Sequence, residues 1–191
     1  MAIHPIRIVG DPVLHHPASP VTAYDEALRS LVADMMETNA AANGAGLAAP
    51  QIGVPQRVFV YSCADATGRI QRGHVVNPVL TTDPIPGGLP DDEHDIEGCL
   101  SVPGEHFPTS RAALATVVGF DEFGEPTTVV GTGILAVALQ HEVDHLDGLL
   151  YLDRLVGRYK REARRTVRER GWRVGELHTW LPGSIPDPFG H

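Results

Sequence analysis

Two histidines and a glutamate stand at a spacing that could hold a hydrolytic metal ion, in the run QHEVDHLDG from Gln140 to Gly148. In a helix of about 3.6 residues per turn, His141 and His145 lie one turn apart on the same face and can bind one ion. Glu142, beside the first ligand, can reach a water on that ion and act as a general base. The run therefore predicts a helix that carries a metal-dependent hydrolytic site.

A catalytic ion of this kind usually has three protein ligands, so the third must come from another part of the chain. One extension of the motif needs a histidine where this chain has Tyr151. Cys99 is the better candidate, because a thiolate binds borderline and soft divalent metals well and the Cys99 loop is bounded by Gly and Pro. The alternatives are that Cys99 is a small buried hydrophobe, or that a later helix supplies the third ligand. The glutamates available downstream are Glu162, Glu169 and Glu176.

A third block, from Gly44 to Gly53, combines small residues with one amide side chain. Its glycines let a backbone pass close to another group, and Gln51 can donate a hydrogen bond. No Lys followed by Ser or Thr completes a phosphate-binding loop, so a nucleotide site is not indicated. The alternative interpretation is a simple turn between a helix and a strand.

The three blocks GAGLAAPQ, EGCLSVPG and QHEVDHLDG, in this order, closely resemble the signatures of the peptide deformylases. The resemblance extends from about Ile8 to Leu155. It implies an α+β fold in which antiparallel β-sheets wrap around a central helix carrying the HExxH motif. It also implies a metal-dependent hydrolase that removes the N-formyl group from the N-terminal formylmethionine of newly made proteins and releases formate.

The resemblance also implies roles for individual residues. Cys99, His141 and His145 would bind one divalent metal ion, commonly Fe2+ in the family, with Zn2+, Ni2+ or Co2+ also compatible with these ligands. Glu142 would be the general base. The oxyanion donors would be the Gln51 side chain and the Leu100 backbone N–H. Glu97 would support the site by pairing with a basic residue, for which Arg111 is the candidate.

Substrate contacts are expected on two elements. A methionine side chain needs a deep, unbranched apolar slot, and one face of the metal helix is placed to line it, with residues Ile134, Val137 and Ala138. The glycine-rich block could pair with the substrate backbone as an added strand, through Ala45, Gly46 and Leu47. His106 stands where some relatives have an arginine near the cleft, which leaves the preference beyond methionine open.

Two other classes of protein remain as alternatives. A metalloprotease could carry the same helix motif, and Cys99 is the residue that distinguishes the two classes. A non-enzyme could use the three ligands as a structural site, or be an inactive relative. Glu142 argues against this second alternative, because a closed structural site needs no base.

Length and composition indicate one ordinary globular domain. The chain has 191 residues, 42% of them hydrophobic, and no apolar run approaches the roughly 20 residues that cross a bilayer. The first residues, Met1 to Pro5, show no secretory signal. Two cysteines do not make a disulfide framework, and a thiolate ligand persists best in a reducing compartment, so the sequence predicts a cytoplasmic protein. No long apolar stripe demands a partner subunit, which favours a monomer.

Basic charge is concentrated near the end of the chain. The net charge is −9, yet 8 of the 15 Lys and Arg residues lie between Arg158 and Arg173. The recurrence of Leu155, Tyr159 and Ala163 predicts a helix there. Its charge indicates either a solvated face or, by the resemblance, a contact with the ribosome. Residues 1–157 would then form the catalytic domain, and residues 158–191 a basic helix and Pro/Gly-rich tail extending the same domain.

Hydrophobic periodicity and turn residues predict the other elements. The expected helices are 25–42 and 133–147, with Gly148 just past the second. The expected strands are 57–62, 75–80 (with Pro78 marking an edge or a break), 113–120 and 126–131, the last two forming a hairpin. Residues 83–95 and the tail from Leu181 are expected to be irregular.

Overall fold

The computed structural model describes residues 2–183. The strands are β1 Ile6–Arg7, β2 Gly46–Ala48, β3 Val58–Ala64, β4 Ile70–Thr82, β5 Ile96–Gly98, β6 His106–Pro108, β7 Leu114–Phe120, β8 Pro126–Thr132 and β9 Thr179–Trp180. The helices are α1 Glu26–Ala41, α2 Ile134–Leu146, α3 Tyr151–Arg154 and α4 Gly157–Glu169, with 3-10 turns at Pro12–His15 and Ala49–Ile52. No helix in this part of the chain is long and apolar enough to cross a bilayer.

Antiparallel sheets surround α2, as expected. The largest sheet has the strand order β2-β3-β4-β7-β8, and two-stranded sheets form from β1 with β9 and from β5 with β6. Leu135, Leu139 and Leu146 of α2 are almost fully buried in a cluster with inward-facing residues of β3 and β7. Because nearly every residue of α2 from 138 to 146 is buried, polar residues on this helix lie inside the protein.

The first helix forms where its apolar spacing predicts. The Asp25 side chain accepts a hydrogen bond from the Leu28 N–H and caps the first turn. Leu28, Val32 and Met35 are buried in the core, so Met35 serves packing. The end of α2 is also as predicted, because Gly148 has φ +76° and a side chain there would meet the His16 backbone.

Pro78 marks a break in the sheet but not an edge. β4 is much longer than the predicted strand and lies between β3 and β7 in the middle of the sheet. The β4–β7 register shifts between Val76 and Val79, and Asn77 has φ +51°. The edge expectation was wrong because a bulge lets a central strand accommodate a proline that cannot donate to the ladder.

The hairpin of β7 and β8 and the irregular segment 83–95 are confirmed. The shortest elements, β1, β2, β5, β6, β9 and α3, were not predicted. In particular, part of the glycine-rich block is the edge strand β2, which pairs antiparallel with β3, and not merely a turn.

The basic segment is helical only to Glu169, four residues short of its predicted end. Tyr159 and Ala163 are buried in the main core, which fixes α4 against the body of the protein. The chain then returns to pair β9 with β1. Residues 181–183 have no helix or strand, and the remainder of the tail, 184–191, lies outside the described residues.

Candidate metal centre and active site

Three buried side chains converge at one point between α2 and the turn after β5. His145 Nε2 lies 3.2 Å from Cys99 Sγ and 3.2 Å from His141 Nε2, and all three donor atoms fall within 4.8 Å of one another. Metal–nitrogen and metal–sulfur bonds of about 2.1 and 2.3 Å at tetrahedral angles would place such atoms roughly 3.4–3.6 Å apart. The observed spacing and the donor types therefore fit one divalent ion.

Glu97 fixes the orientation of the first imidazole. His141 Nδ1 lies 2.6 Å from Glu97 Oε1. Burial acts to raise the pKa of Glu97, but hydrogen bonds from Arg111 and His141 outweigh it and hold the pKa at about 2. An ionised carboxylate can only accept, so His141 Nδ1 donates its proton to Glu97. In the neutral ring this leaves the Nε2 lone pair directed at Cys99 and His145, as a metal ligand requires.

The charges around the three donors favour a bound cation. Burial acts to lower the pKa of His141, but the nearby Cys99 sulfur and Glu97 carboxylate raise it well above the ordinary value for histidine. Burial, and then the charge of His141, lower the pKa of His145. His141 Nε2 therefore tends to bind a proton. A metal ion that binds to this same nitrogen would displace that proton.

Glu142 lines the same pocket as the ligands Cys99 and His141. Its carboxylate is buried, and Oε2 has no hydrogen-bond partner among residues 2–183. Burial raises the pKa of Glu142 to about 7, so the group can both accept and release a proton near neutral pH. Gly46 of β2 faces this carboxylate closely, since a Cβ built there would come within 2.4 Å of Glu142 Oε1.

Gln51 and Leu100 border the same point. Gln51 Oε1 accepts the Ala48 N–H at 2.8 Å, which turns Nε2 toward Ser101 Oγ at 3.2 Å and Cys99 Sγ at 3.8 Å. Leu100 directly follows Cys99 and is almost buried. An amide donor and a backbone segment therefore lie next to the three convergent ligands.

A pocket of about 300 Å³ opens above these groups. It is lined by most of the residues expected from the sequence, namely Ala45, Gly46, Gln51, Glu97, Cys99, Leu100, Ile134, Val137, Ala138, His141 and Glu142. Leu47 is not among the lining residues, because its side chain is fully buried in the core on the opposite side of β2. Lining residues without an expected role are Asn43, Gly44, Ile96 and Gly98, and His106 also borders the pocket.

The chain matches the model of the polypeptide deformylase family over residues 3–161. The chain belongs to this family. Peptide deformylases of Mycobacterium sp. (strain JLS) and Mycolicibacterium smegmatis are 57% and 55% identical to it over 198 aligned positions, with full coverage of both chains.

Solved structures agree with this assignment. A peptide deformylase from Legionella pneumophila superimposes with a TM-score of 0.73 at 38% identity, covering 89% of this chain and 96% of that one. One from Synechococcus elongatus, solved in complex with actinonin, gives 0.68 at 35% identity, with 87% and 85% covered. This chain is therefore a hydrolase that removes the N-formyl group from newly made polypeptides. The metalloprotease and non-enzyme alternatives are set aside.

Buried ion pairs connect Glu97, which contacts the ligand His141, to Arg111 and Asp144. Arg111 donates two hydrogen bonds to Glu97, at 2.7 and 2.8 Å, so the expected contact between these residues is present. Arg111 also binds Asp144 at 2.7 Å, and Arg154 binds the same carboxylate. The Asp144 carboxylate is thus held by two guanidinium groups. Gln140 fixes the neighbouring loop, through the N–H and C=O of Ala112.

Replacing Arg111 with methionine is expected to lower the free energy of unfolding by about 3–5 kcal/mol, because Glu97 and Asp144 would remain buried without their cation. Urea unfolding of the metal-loaded protein measures the change. Arg154→Met is the matched control: it removes a half-exposed partner of Asp144 and should cost clearly less. Equal losses in the two variants would contradict the importance of the buried pair.

Proposed function

We propose that hydrolysis takes place in the pocket above Cys99, His141 and His145, with Glu142 as the group that moves the proton. The observation that carries this proposal is the buried Glu142 carboxylate, which lines the same pocket as Cys99 and His141 and has one oxygen that accepts no hydrogen bond from residues 2–183. The substrate is the N-formyl group of a polypeptide that begins with formylmethionine. The products are formate and a free amino terminus.

In this proposal Glu142 acts first as base and then as acid. It accepts a proton from the water that adds to the formyl carbon, and then gives that proton to the amine nitrogen as the C–N bond breaks. Without the proton the amine would leave as an unstable anion. A pKa near 7 for Glu142 suits both transfers.

Two donors would stabilise the negative charge on the formyl oxygen. We assign them as the Gln51 Nε2 amide, 3.8 Å from Cys99 Sγ, and the backbone N–H of Leu100, which directly follows Cys99. Donors of this kind are typically worth about 100- to 1,000-fold in kcat each. The hydrogen bond from Ala48 N–H to Gln51 Oε1 supports the assignment, because it holds the amide in one orientation before substrate arrives.

The side chain of methionine would enter the apolar part of the pocket. Ile134, Val137 and Ala138 line it from α2, while the backbone of Ala45 and Gly46 is available at the edge strand for an extended substrate. Leu47 would contribute only its backbone. A peptide deformylase of Acinetobacter baumannii, 31% identical with a TM-score of 0.70 and covering 81% of this chain and 99% of that one, was solved with Met-Ala-Ser bound. That ligand supports a methionine-first occupant here.

Cys99, His141 and His145 would hold the metal ion, for which we propose Fe2+, with Zn2+, Ni2+ or Co2+ as replacements in purified protein. When bound, such an ion polarises a carbonyl and lowers the pKa of water. Glu97 would keep the His141 ring oriented through its contact with Nδ1, and Arg111 would hold Glu97 in place. The thiol ligand and the two unpaired cysteines favour a cytoplasmic location.

Formate release from a short formyl-Met peptide tests the function directly. The protein is purified without oxygen, its metal content is measured in the same sample, and acetylated and unblocked peptides serve as controls. Formate from the formyl peptide alone, in proportion to one bound metal ion per chain, is expected. Absence of release from a folded, metal-loaded sample would overturn the proposal.

We further propose that the Arg158–Arg173 segment contacts the ribosome. α4 presents Arg161, Arg164, Arg165 and Arg168 at the surface, where Arg165 lies 3.8 Å from Glu169. Arg158 and Arg170 are engaged by Asp92 and Glu105. Burial of Tyr159 and Ala163 supports treating residues 158–191 as an extension of the catalytic domain of residues 1–157. The protein would act as a monomer.

A variant with the charge of four exposed α4 arginines reversed is expected to bind ribosomes at low salt at least about tenfold more weakly, because the attraction is electrostatic. The four substitutions are Arg161→Glu, Arg164→Glu, Arg165→Glu and Arg168→Glu. Hydrolysis of a small formyl peptide should be unchanged. Cosedimentation with ribosomes measures the binding. Two double variants give the matched comparison. The first carries Arg164→Glu and Arg168→Glu in α4. The control carries Arg69→Glu and Arg72→Glu, at two exposed arginines near the start of β4. Equal effects of the two double variants would contradict a specific contact through α4.

A further inference from the structure

A buried tryptophan near the end of the chain holds the loop that follows the cysteine ligand. The indole Nε1–H of Trp180 donates to the Leu100 carbonyl oxygen at 2.8 Å, across 80 residues of sequence. The Trp180 side chain is almost entirely buried. The family model ends at residue 161, so this contact comes from a part of the chain outside the family match.

The bonded carbonyl belongs to a peptide unit that also contacts Cys99. The Leu100 C=O and the Ser101 N–H form one planar group, whose two ends point in opposite directions. Trp180 holds the oxygen end, and the nitrogen end donates to Cys99 Sγ at 3.4 Å. Rotation of this plane would change ψ of Leu100 and turn the Ser101 N–H away from the cysteine sulfur, whereas the Leu100 N–H belongs to the preceding peptide plane.

The terminal segment is itself anchored, so Trp180 has a fixed position. Ile6 of β1 pairs with Trp180, and the Ile8 N–H donates to the His178 carbonyl oxygen at 3.0 Å. A second contact reaches the same loop, because Arg170 binds Glu105 at 2.7 Å. Residues 170–180 therefore meet the 99–107 loop at two points.

We infer that Trp180 is a positioning residue for deformylation, whose indole N–H fixes the Leu100–Ser101 peptide and thereby keeps the Ser101 N–H on the Cys99 sulfur. The inference rests on the metal-ligand role proposed for Cys99. Trp180 acts through the peptide that it holds. A hydrogen bond to a ligating atom orients that ligand and tunes the metal, and loss of such support typically costs about 10- to 100-fold in metal affinity or activity.

The test compares two tryptophan variants from the same segment. The sequence has two tryptophans, Trp172 and Trp180, and Trp172 is only partly buried. With the site kept metal-saturated, Trp180→Phe is expected to lower kcat by about tenfold, the lower end of that range, with KM unchanged. Trp172→Phe is the control and should retain kcat within twofold.

A second variant removes only the N–H. In a Trp172→Phe background, Trp180 is the remaining tryptophan, so biosynthetic replacement by 3-benzothienylalanine substitutes a ring sulfur for the indole N–H while keeping the ring shape. The same fall in kcat is expected. Independently of turnover, the Trp180 indole proton, assigned by NMR from the Trp172→Phe spectrum, should exchange with deuterium far more slowly than that of Trp172.

The outcomes separate cleanly. Any one of four results would overturn the positioning role. Two concern kcat: a sulfur-substituted protein whose kcat is within twofold of its parent, or an equal fall in kcat in both phenylalanine variants. The other two are an effect confined to KM and rapid exchange of the Trp180 indole proton. In those cases an active parent leaves the proposed function standing. A metal-loaded Trp172→Phe parent that releases no formate, while the unsubstituted chain also fails, would overturn both.

Discussion

Replacement of Glu142 with alanine is expected to remove nearly all formate release while leaving the metal in place. General acid–base catalysis commonly contributes about 100- to 10,000-fold, and the upper part of that range is expected here because Glu142 serves two proton transfers. The neighbouring carboxylate Glu97 cannot substitute, since it is held by Arg111 and His141 with a pKa of about 2.

Single-turnover formate release and metal analysis on the same samples measure this effect. The variant Glu142→Gln tests the role further, because its amide keeps the shape of the side chain but cannot accept the proton as a carboxylate does. Glu125→Ala, at an exposed position of the β7–β8 hairpin, is the control for loss of one carboxylate. Turnover within tenfold of the parent would rule out Glu142 as the base.

The melting temperature of the Glu142→Ala variant provides a second test of the role of Glu142. Ionised Glu142 is buried, and one of its oxygens accepts no hydrogen bond from residues 2–183, which costs free energy in the folded state. Glu142→Ala should therefore keep or raise the melting temperature while activity falls. Such opposite changes are typical of active-site groups that are retained for function.

The regular elements with strong local signals were predictable from the sequence. α1 follows from its apolar spacing and its Asp25 cap, and α2 from its apolar face and the glycine after it. The β7–β8 hairpin follows from two short runs of β-branched residues on either side of a Gly-containing turn. In each case the information lies within one segment of the chain.

Elements that depend on distant partners were not predictable. β5, β6 and β9 have two or three residues each, too few to show a period, and they exist because another segment lies beside them. Pro78 in β4 indicated either an edge or a break, because the sequence does not show which strands pair on either side. Long-range pairing supplied that information.

The candidate site was largely predictable by residue type, but the direction of individual side chains was not. Leu47 was grouped with Ala45 and Gly46 although neighbours in a strand point to opposite faces, so Gly46 facing Glu142 requires Leu47 to face away. Had the glycine-rich block been recognised as a strand, this alternation would have placed Leu47 in the core. The partners of Asp144 and the Trp180 contact carry no local signal at all.

Replacement of Cys99 with alanine is expected to cost the protein its metal. Supporting residues around a metal typically contribute about 10- to 100-fold in affinity, so removal of one of three direct ligands should cost more. The two histidines that remain would have to hold the ion alone, with His145 and the Ser101 N–H losing the sulfur that both contact. Formate release should fall in parallel with metal content.

Cys63→Ala provides the matched control, because Cys63 is the other cysteine of the chain and is also buried. Burial raises the pKa of the Cys63 thiol to about 11, so this sulfur is protonated at neutral pH and is a poor ligand. Metal per chain, measured after anaerobic dialysis against a metal buffer, should stay near one in Cys63→Ala and fall in Cys99→Ala. Cys99→Asp keeps a negative ligand and should recover binding in part. Unchanged metal affinity in Cys99→Ala would show that another residue supplies the third ligand, with Glu162, Glu169 and Glu176 then the first to test.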